Sequence, residues 1–211
     1  MSAQPSTHRN PYRPGAGIAP TYLAGRDAVL RRIDNTLRAA PELPANVKVT
    51  GLRGVGKTVL LKEVERRATH SLGWLTSRVQ IEPRHNQEGE LAGLIEDLSR
   101  RAVRRASRTA RLRARVGDAT AAARGLVRVS FEEFEFSPSG TSARTSDVAK
   151  ALYLAADAAV KRGYNGYLLL LDEAQILRDD KKRSGEHPLS ALVAAVNTLQ
   201  EETVPVGLVL C

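Results

Sequence analysis

A single cysteine, Cys211, rules out an intrachain disulfide and makes a reducing compartment the natural setting. No apolar run approaches the length of a membrane span. The N-terminal residues are basic and contain Ser and Thr, as a transit peptide would. Pro5, Pro11, Pro14 and Pro20 oppose the helix such a peptide needs, and the apolar core of a secretion signal is missing. The expected location is therefore the cytoplasm. No internal repeat recurs at a fixed period. Acidic residues are scarce in one region. Residues 100–128 hold ten arginines against Asp118 alone, which equals the formal net charge of +9 for the whole chain. The remainder is balanced, so one local basic region sets the pI near 10.1.

The 211 residues are 42% hydrophobic, enough for one α/β domain with a sizeable core. Its most informative stretch is Gly51-Leu52-Arg53-Gly54-Val55-Gly56-Lys57-Thr58, which satisfies the phosphate-binding P-loop pattern. Val47 to Thr50 reads as a short strand before it. The residues from Thr58 to Arg67 read as a helix with an apolar face after it. Gly51, Gly54 and Gly56 let successive N–H groups turn inward, and the helix adds the partial positive charge of its N-terminus. Arg53, Val55 and Val59 are counted with them as nucleotide-binding positions. Lys57 would reach the β- and γ-phosphates, and the Thr58 hydroxyl would ligate Mg²⁺. The bland alternative is a Gly-rich turn joining strand to helix.

A second motif weakens that alternative. Tyr167-Leu168-Leu169-Leu170-Leu171-Asp172-Glu173 is a continuous apolar run ending in two acids, as in a central parallel strand buried on both faces. Adjacent carboxylates at the end of a buried strand are costly without a cation. A Mg²⁺ held against a P-loop supplies one. This is the Walker B pattern, about 115 residues beyond Lys57. Asp172 would contact Mg²⁺, and Glu173 would polarise the attacking water as a general base. Gln175 is read as facing solvent, with a polar link toward the γ-phosphate as the alternative.

Along the chain, residues 1–20 read as an extended arm rich in proline and glycine. A helix follows from Asp27 to about Ala40, with Val29, Leu30, Ile33 and Leu37 at helical spacing, and Pro41 and Pro44 end it. Trp74 to Ile81 reads as a second strand. The strand–helix–strand alternation implies parallel pairing through a right-handed crossover. A long helix is expected over 87–116. Leu91, Ile95, Leu98, Ala102, Ala106 and Ala110 form one stripe; Arg101, Arg104, Arg108, Arg111 and Arg115 form another, roughly 160° away. The arginine stripe lacks acids on its own face, so the pairs that support a merely soluble helix are not expected. It is either a solvated face or a contact for nucleic acid or another polyanion. Leu126 to Phe136 alternates out of phase across Glu132-Glu133 and reads as a small β insertion. Ser146 and Asp147 are placed as caps of a helix running to about Arg162, with Val148, Leu152, Ala155, Ala159 and Val160 inward. A helix from Pro188 to about Glu202 and a buried strand from Val204 to Leu210 complete the pattern.

Together, Leu23-Ala24-Gly25-Arg26, the Gly51–Thr58 loop and Leu168 to Gln175 resemble the AAA+ and STAND-like P-loop ATPases. The likeness is to prokaryotic proteins of the archaeal-ATPase and replication-initiator type, over residues 20 to 211. It implies a three-layer α/β P-loop NTPase core with a central, mainly parallel sheet, the P-loop strand central, and one core domain over 21–211. It further implies that Tyr22, Gly25 and Arg26 lie near adenine, and that the strand after Walker B ends at a sensor position. The lid, second sensor and arginine finger of such families normally come later, so the module is expected to be incomplete at Cys211.

The leading reading is an ATP- and Mg²⁺-binding, hydrolysing module that drives or switches a partner, either another protein or a second copy of the chain. A nucleic-acid-associated ATPase with the arginine stripe as its contact is the second; no recognition fold such as a winged helix accompanies it. A non-hydrolysing nucleotide-dependent scaffold is the third, and Glu173 speaks against it. A small-molecule kinase is weaker, because Asp-Glu at a strand end is more typical of ATPases.

Overall fold

The computed structural model describes residues 25–52, 56–116, 143–179 and 186–211. The N-terminal arm, the centre of the P-loop and the expected β insertion fall outside these residues. The elements are α1 (Asp27–Arg38), β1 (Ala45–Lys48), α2 (Lys57–His70), β2 (Leu75–Gln80), α3 (Glu88–Val116), α4 (Ala143–Val160), β3 (Tyr167–Asp172), α5 (Pro188–Glu201) and β4 (Val206–Leu210). Short 3₁₀ turns at Pro83–Asn86 and Ala174–Ile176 follow β2 and β3.

The four strands form one all-parallel sheet in the order β1-β4-β3-β2. This corrects two expectations. The P-loop strand β1 stands at one edge of the described sheet, not at its centre. The strands on either side of α2 do not pair: β1 pairs with β4, and β2 with β3. Local alternation of strand and helix fixes parallel direction, but not which strand inserts between two others. That choice is made by β3 and β4, whose side chains are almost entirely buried and must occupy the interior.

The sheet separates two cores. On one face, α1 and α2 pack Leu30, Ile33, Leu37, Leu60, Leu61 and Val64 against Leu168 and Leu170. On the other, α3, α4 and α5 pack against Leu169 and Leu171 through residues such as Ile95, Leu152 and Leu192. Period-2 alternation along β3 thus feeds both layers, and each buried leucine contributes about 1.5–3 kcal/mol of transfer free energy. The three-layer α/β architecture is as expected from the sequence.

Three details differ from the periodicity. Val29 is 38% exposed, because the buried stripe of α1 is Leu30, Ile33 and Leu37. The helix α4 begins at Ala143, so Ser146 and Asp147 lie within it and not at its cap. Val160 is half-buried at its end. Among the described residues, no helix is long and apolar enough to cross a membrane.

Candidate nucleotide site

Parallel strands present their carboxyl ends together, and open α/β sheets bind ligands there. At that end β1 leads into Gly51, β3 ends in Asp172, and β4 ends beside Cys211. Because β4 lies between β1 and β3, its tip sits between the two motifs. Backbone hydrogen bonds lock the three together. Val49 N–H donates to Leu210 O at 2.8 Å, Cys211 N–H donates to Leu171 O at 2.9 Å, and Ala174 N–H donates to Cys211 O at 2.7 Å.

On the P-loop side, Gly56 has φ +82°, a left-handed conformation that turns the loop into the first turn of α2. Lys57 starts that helix. Its Nζ donates to the carbonyl oxygens of Gly51 at 3.1 Å and Leu52 at 3.2 Å, so the ammonium lies over its own loop. Thr58 and Val59 follow in the first turn, both half-buried. Gly51 is exposed at the start of the loop, while Arg53, Gly54 and Val55 lie outside the described residues. Of the residues placed near adenine, Tyr22 is also outside; Gly25 has φ +71° and Arg26 stands at the N-cap of α1.

On the Walker B side, Asp172 is only 4% exposed. Its Oδ1 accepts the Glu173 N–H at 3.1 Å. Among the described residues it forms no ion pair, so a buried carboxylate faces the P-loop end of the sheet without a protein cation. Glu173 has φ +57° and ψ +32°, a region where a non-glycine side chain is strained and which recurs at functional sites. Gln175 is exposed, as the sequence suggests, and its Nε2 also donates to Glu173 Oε2, the carboxylate of the candidate base.

The family resemblance implies a sensor position at the end of the strand after Walker B, and Cys211 stands at that tip. Burial pushes its thiol up to about 11; the Asp172 and Glu173 carboxylates add to that, and Lys57 opposes it. One buried thiol thus feels the P-loop lysine and both Walker B acids. The signal was present only as spacing: a strand after Walker B, ending where the two motifs meet.

The arginine stripe is modified by the structure. Arg101 does have an i,i−4 partner, Asp97, at 3.1 Å, and Asp97 is shared with Arg100 at 3.0 Å. Those hydrogen bonds from Arg100 and Arg101 hold the Asp97 carboxyl below its ordinary range. Arg104 and Arg108 are exposed, and the side chains of Arg111 and Arg115 lie outside the description.

Comparison with known proteins agrees with this geometry. One family model, the AAA ATPase domain, matches residues 22–209. No curated protein matches the chain, and no solved structure does.

Proposed function

We propose that this chain, which belongs to the AAA ATPase domain family, is a Mg²⁺-dependent ATP-hydrolysing module that drives or switches a partner. The observation that carries the reading is the convergence at the tip of β4. There backbone hydrogen bonds tie the end of the strand to Val49, which leads into the P-loop, and to Leu171 and Ala174, which flank Asp172 and Glu173, at the carboxyl end of a parallel sheet.

The residues fit a nucleotide-borne Mg²⁺. Thr58 offers a hydroxyl on the first turn of α2, and Asp172 is a buried carboxylate lacking a protein cation among the described residues. Phosphate oxygens and water would complete such a site. The ion neutralises phosphate charge when bound. Lys57 exchanges its loop carbonyls for the β/γ-phosphates, and the N-terminal amides of α2 face the same anion. Glu173 accepts the proton of the attacking water. Gly51, Arg53, Gly54, Val55, Gly56 and Val59 line the phosphates, with Tyr22, Gly25 and Arg26 toward the base. Relationship to STAND proteins or replication initiators belongs to the same proposal, as does a cytoplasmic setting.

A second reading makes nucleic acid the partner. It is favoured by Arg104 and Arg108, which extend from α3 without an ion pair among the described residues.

The direct test of the first reading is titration of a fluorescent ATP analogue into wild type and Lys57→Ala with Mg²⁺. Wild type is expected to bind more tightly, and Thr58→Ala to lose much of its Mg²⁺ dependence. Equal affinity of wild type and Lys57→Ala would remove the assignment.

A further inference from the structure

The outer edge of β2 carries a cavity of about 410 Å³ that the nucleotide reading leaves unused. It takes Arg78 from β2 and Arg101, Arg104, Arg105 and Arg108 from α3, with Glu65 of α2 as its carboxylate. Its walls therefore come from both helical layers, with the strand edge between them. Register explains the arrangement. Ser77 stands beside Leu169, on the α3–α5 face, and Arg78 stands beside Leu170, on the α1–α2 face.

Two of the arginines fix the walls. Arg105 donates to Thr76 O at 2.6 Å and to Ser77 Oγ at 3.0 Å, tying α3 to the strand. Arg78 Nε donates to Glu65 at 2.6 Å, tying the strand to α2. Arg101 shares Asp97 with Arg100, while Arg104 and Arg108 form no ion pair among the described residues. Five guanidiniums face a single lining carboxylate. Such a concentration of one sign is repulsive in the absence of an anion, and guanidinium forks match phosphate oxygens bidentately. From Arg101 to Arg108 the helix advances about 10 Å at 1.5 Å per residue. That is longer than one phosphate group, so the row suits several phosphates in a chain better than a lone carboxylate.

We propose that this cavity is a second anion site, distinct from the P-loop, which seats consecutive phosphates of a phosphodiester or polyphosphate chain. The proposal rests on the nucleic-acid reading of α3 and does not depend on ATP hydrolysis. Arg104 and Arg108 supply the open donors, Arg105 holds the wall, and the incoming phosphates compete with Glu65 for Arg78. Because Glu65 lies on the helix that begins at Lys57, filling the cavity acts on the element that also bears the P-loop.

The experiment uses the full chain in excess Mg²⁺-ADP, which occupies the P-loop. A fluorescein-labelled oligothymidylate is titrated by anisotropy over a series of salt concentrations, with inorganic tripolyphosphate as competitor. Binding at low salt is expected. In Arg104→Gln/Arg108→Gln the slope of log K against log salt should flatten by about 1.4, the value for two lost single-strand phosphate contacts. Glu65→Gln, which removes the competing carboxylate, should tighten binding severalfold. Displacement by tripolyphosphate supports a site for phosphate chains in general; resistance to it supports a site for the strand backbone. An unchanged slope in the double variant, with melting temperature and circular dichroism equal to wild type, overturns the proposal. If Arg111→Gln/Arg115→Gln flattens the slope instead, the nucleic-acid reading stands and the cavity is not its seat. If neither the oligonucleotide nor tripolyphosphate binds at low salt, both fail.

Discussion

The side-chain amide of Gln175 donates to the Glu173 carboxylate two residues earlier, across the turn that leaves β3. Glu173 is held from two sides: its N–H bonds Asp172 Oδ1 at 3.1 Å, and its carboxylate is gripped by Gln175. If Glu173 is the base, as proposed, its direction is set before substrate arrives. Gln175→Ala is therefore expected to lower kcat about tenfold while leaving KM for ATP nearly unchanged. That is a smaller loss than the roughly 10²–10⁴-fold a general base supplies. Gln175→Glu adds a like charge beside Glu173 and should shift the acidic limb of the pH–rate profile upward. A kcat for Gln175→Ala equal to wild type would show that the contact does not position the base.

The two Walker B acids should separate by phenotype. Glu173→Gln keeps shape and removes the proposed base, so nucleotide affinity should persist while turnover falls by roughly 10²-fold or more. Asp172→Asn should weaken Mg²⁺-ATP binding itself, because the buried carboxylate is the fixed negative charge at the end of β3. Isothermal titration with a non-hydrolysable analogue, run beside a phosphate-release assay, measures both effects. Normal hydrolysis by Glu173→Gln would move the base elsewhere.

Some of this was legible in the residues and some was not. The apolar run Leu168 to Leu171 announced a strand buried on both faces, and the structure buries all six residues of β3. Of the stripe Leu91, Ile95, Leu98, Ala102, Ala106 and Ala110 on α3, four residues are buried (Leu91, Ile95, Ala102 and Ala106), Leu98 is half-buried, and the side chain of Ala110 lies outside the described residues. Strand order was not legible, because pairing joins residues far apart in sequence, such as Lys48 with Leu210. The Arg101–Asp97 pair lies at helical i,i+4 spacing, but Asp97 is not itself part of the arginine stripe, so the stripe alone does not reveal it. Glu65 and Arg78 were invisible for a different reason: they belong to separate elements, and only the sheet edge makes them neighbours. The strained Glu173 backbone has no sequence signature at all, since the residue type argues against a left-handed conformation.

Glu63 gives the stability curve an acid limb. Its carboxylate accepts from Arg66 at 2.7 Å and Arg67 at 2.8 Å, and Arg67 also reaches Asp34 of α1 at 3.0 Å. The hydrogen bond from Arg66 is the largest influence on Glu63; with Arg67 it overcomes an opposing burial effect and lowers the carboxyl from 4.5 to about 2. A depressed folded pKa stabilises the protein above the unfolded value, and this contribution disappears as pH falls from 4.5 toward 2. The pair is partly exposed, so its worth is about 1 kcal/mol or less. Glu63→Gln should lower the urea midpoint at pH 7, and its difference from wild type should shrink steadily below pH 4.5. A difference that is constant from pH 7 to 3 would assign the effect to packing.

Cys211 supplies the opposite limb and a probe of the site. Its thiol is pushed from 9.0 to about 11, first by burial and then by the Asp172 and Glu173 carboxylates, with Lys57 pulling the other way. The folded chain therefore favours the protonated form. No pH dependence from this group is expected below 9; between 9 and 11 the unfolded chain ionises first and stability falls. Thiolate is the reactive species, and two pKa units leave roughly 10²-fold less of it at a given pH. Native protein at pH 8 should thus react with iodoacetamide at least 10²-fold more slowly than urea-unfolded protein, a ratio read by mass spectrometry. Lys57→Ala removes a neighbouring cation that favours the thiolate, so native labelling should slow further. Asp172→Asn removes a carboxylate that disfavours it and should speed labelling. If both substitutions leave the native rate unchanged while the unfolded rate stays fast, the thiol is shielded by burial alone. The electrostatic link between the tip of β4 and the two motifs would then be absent.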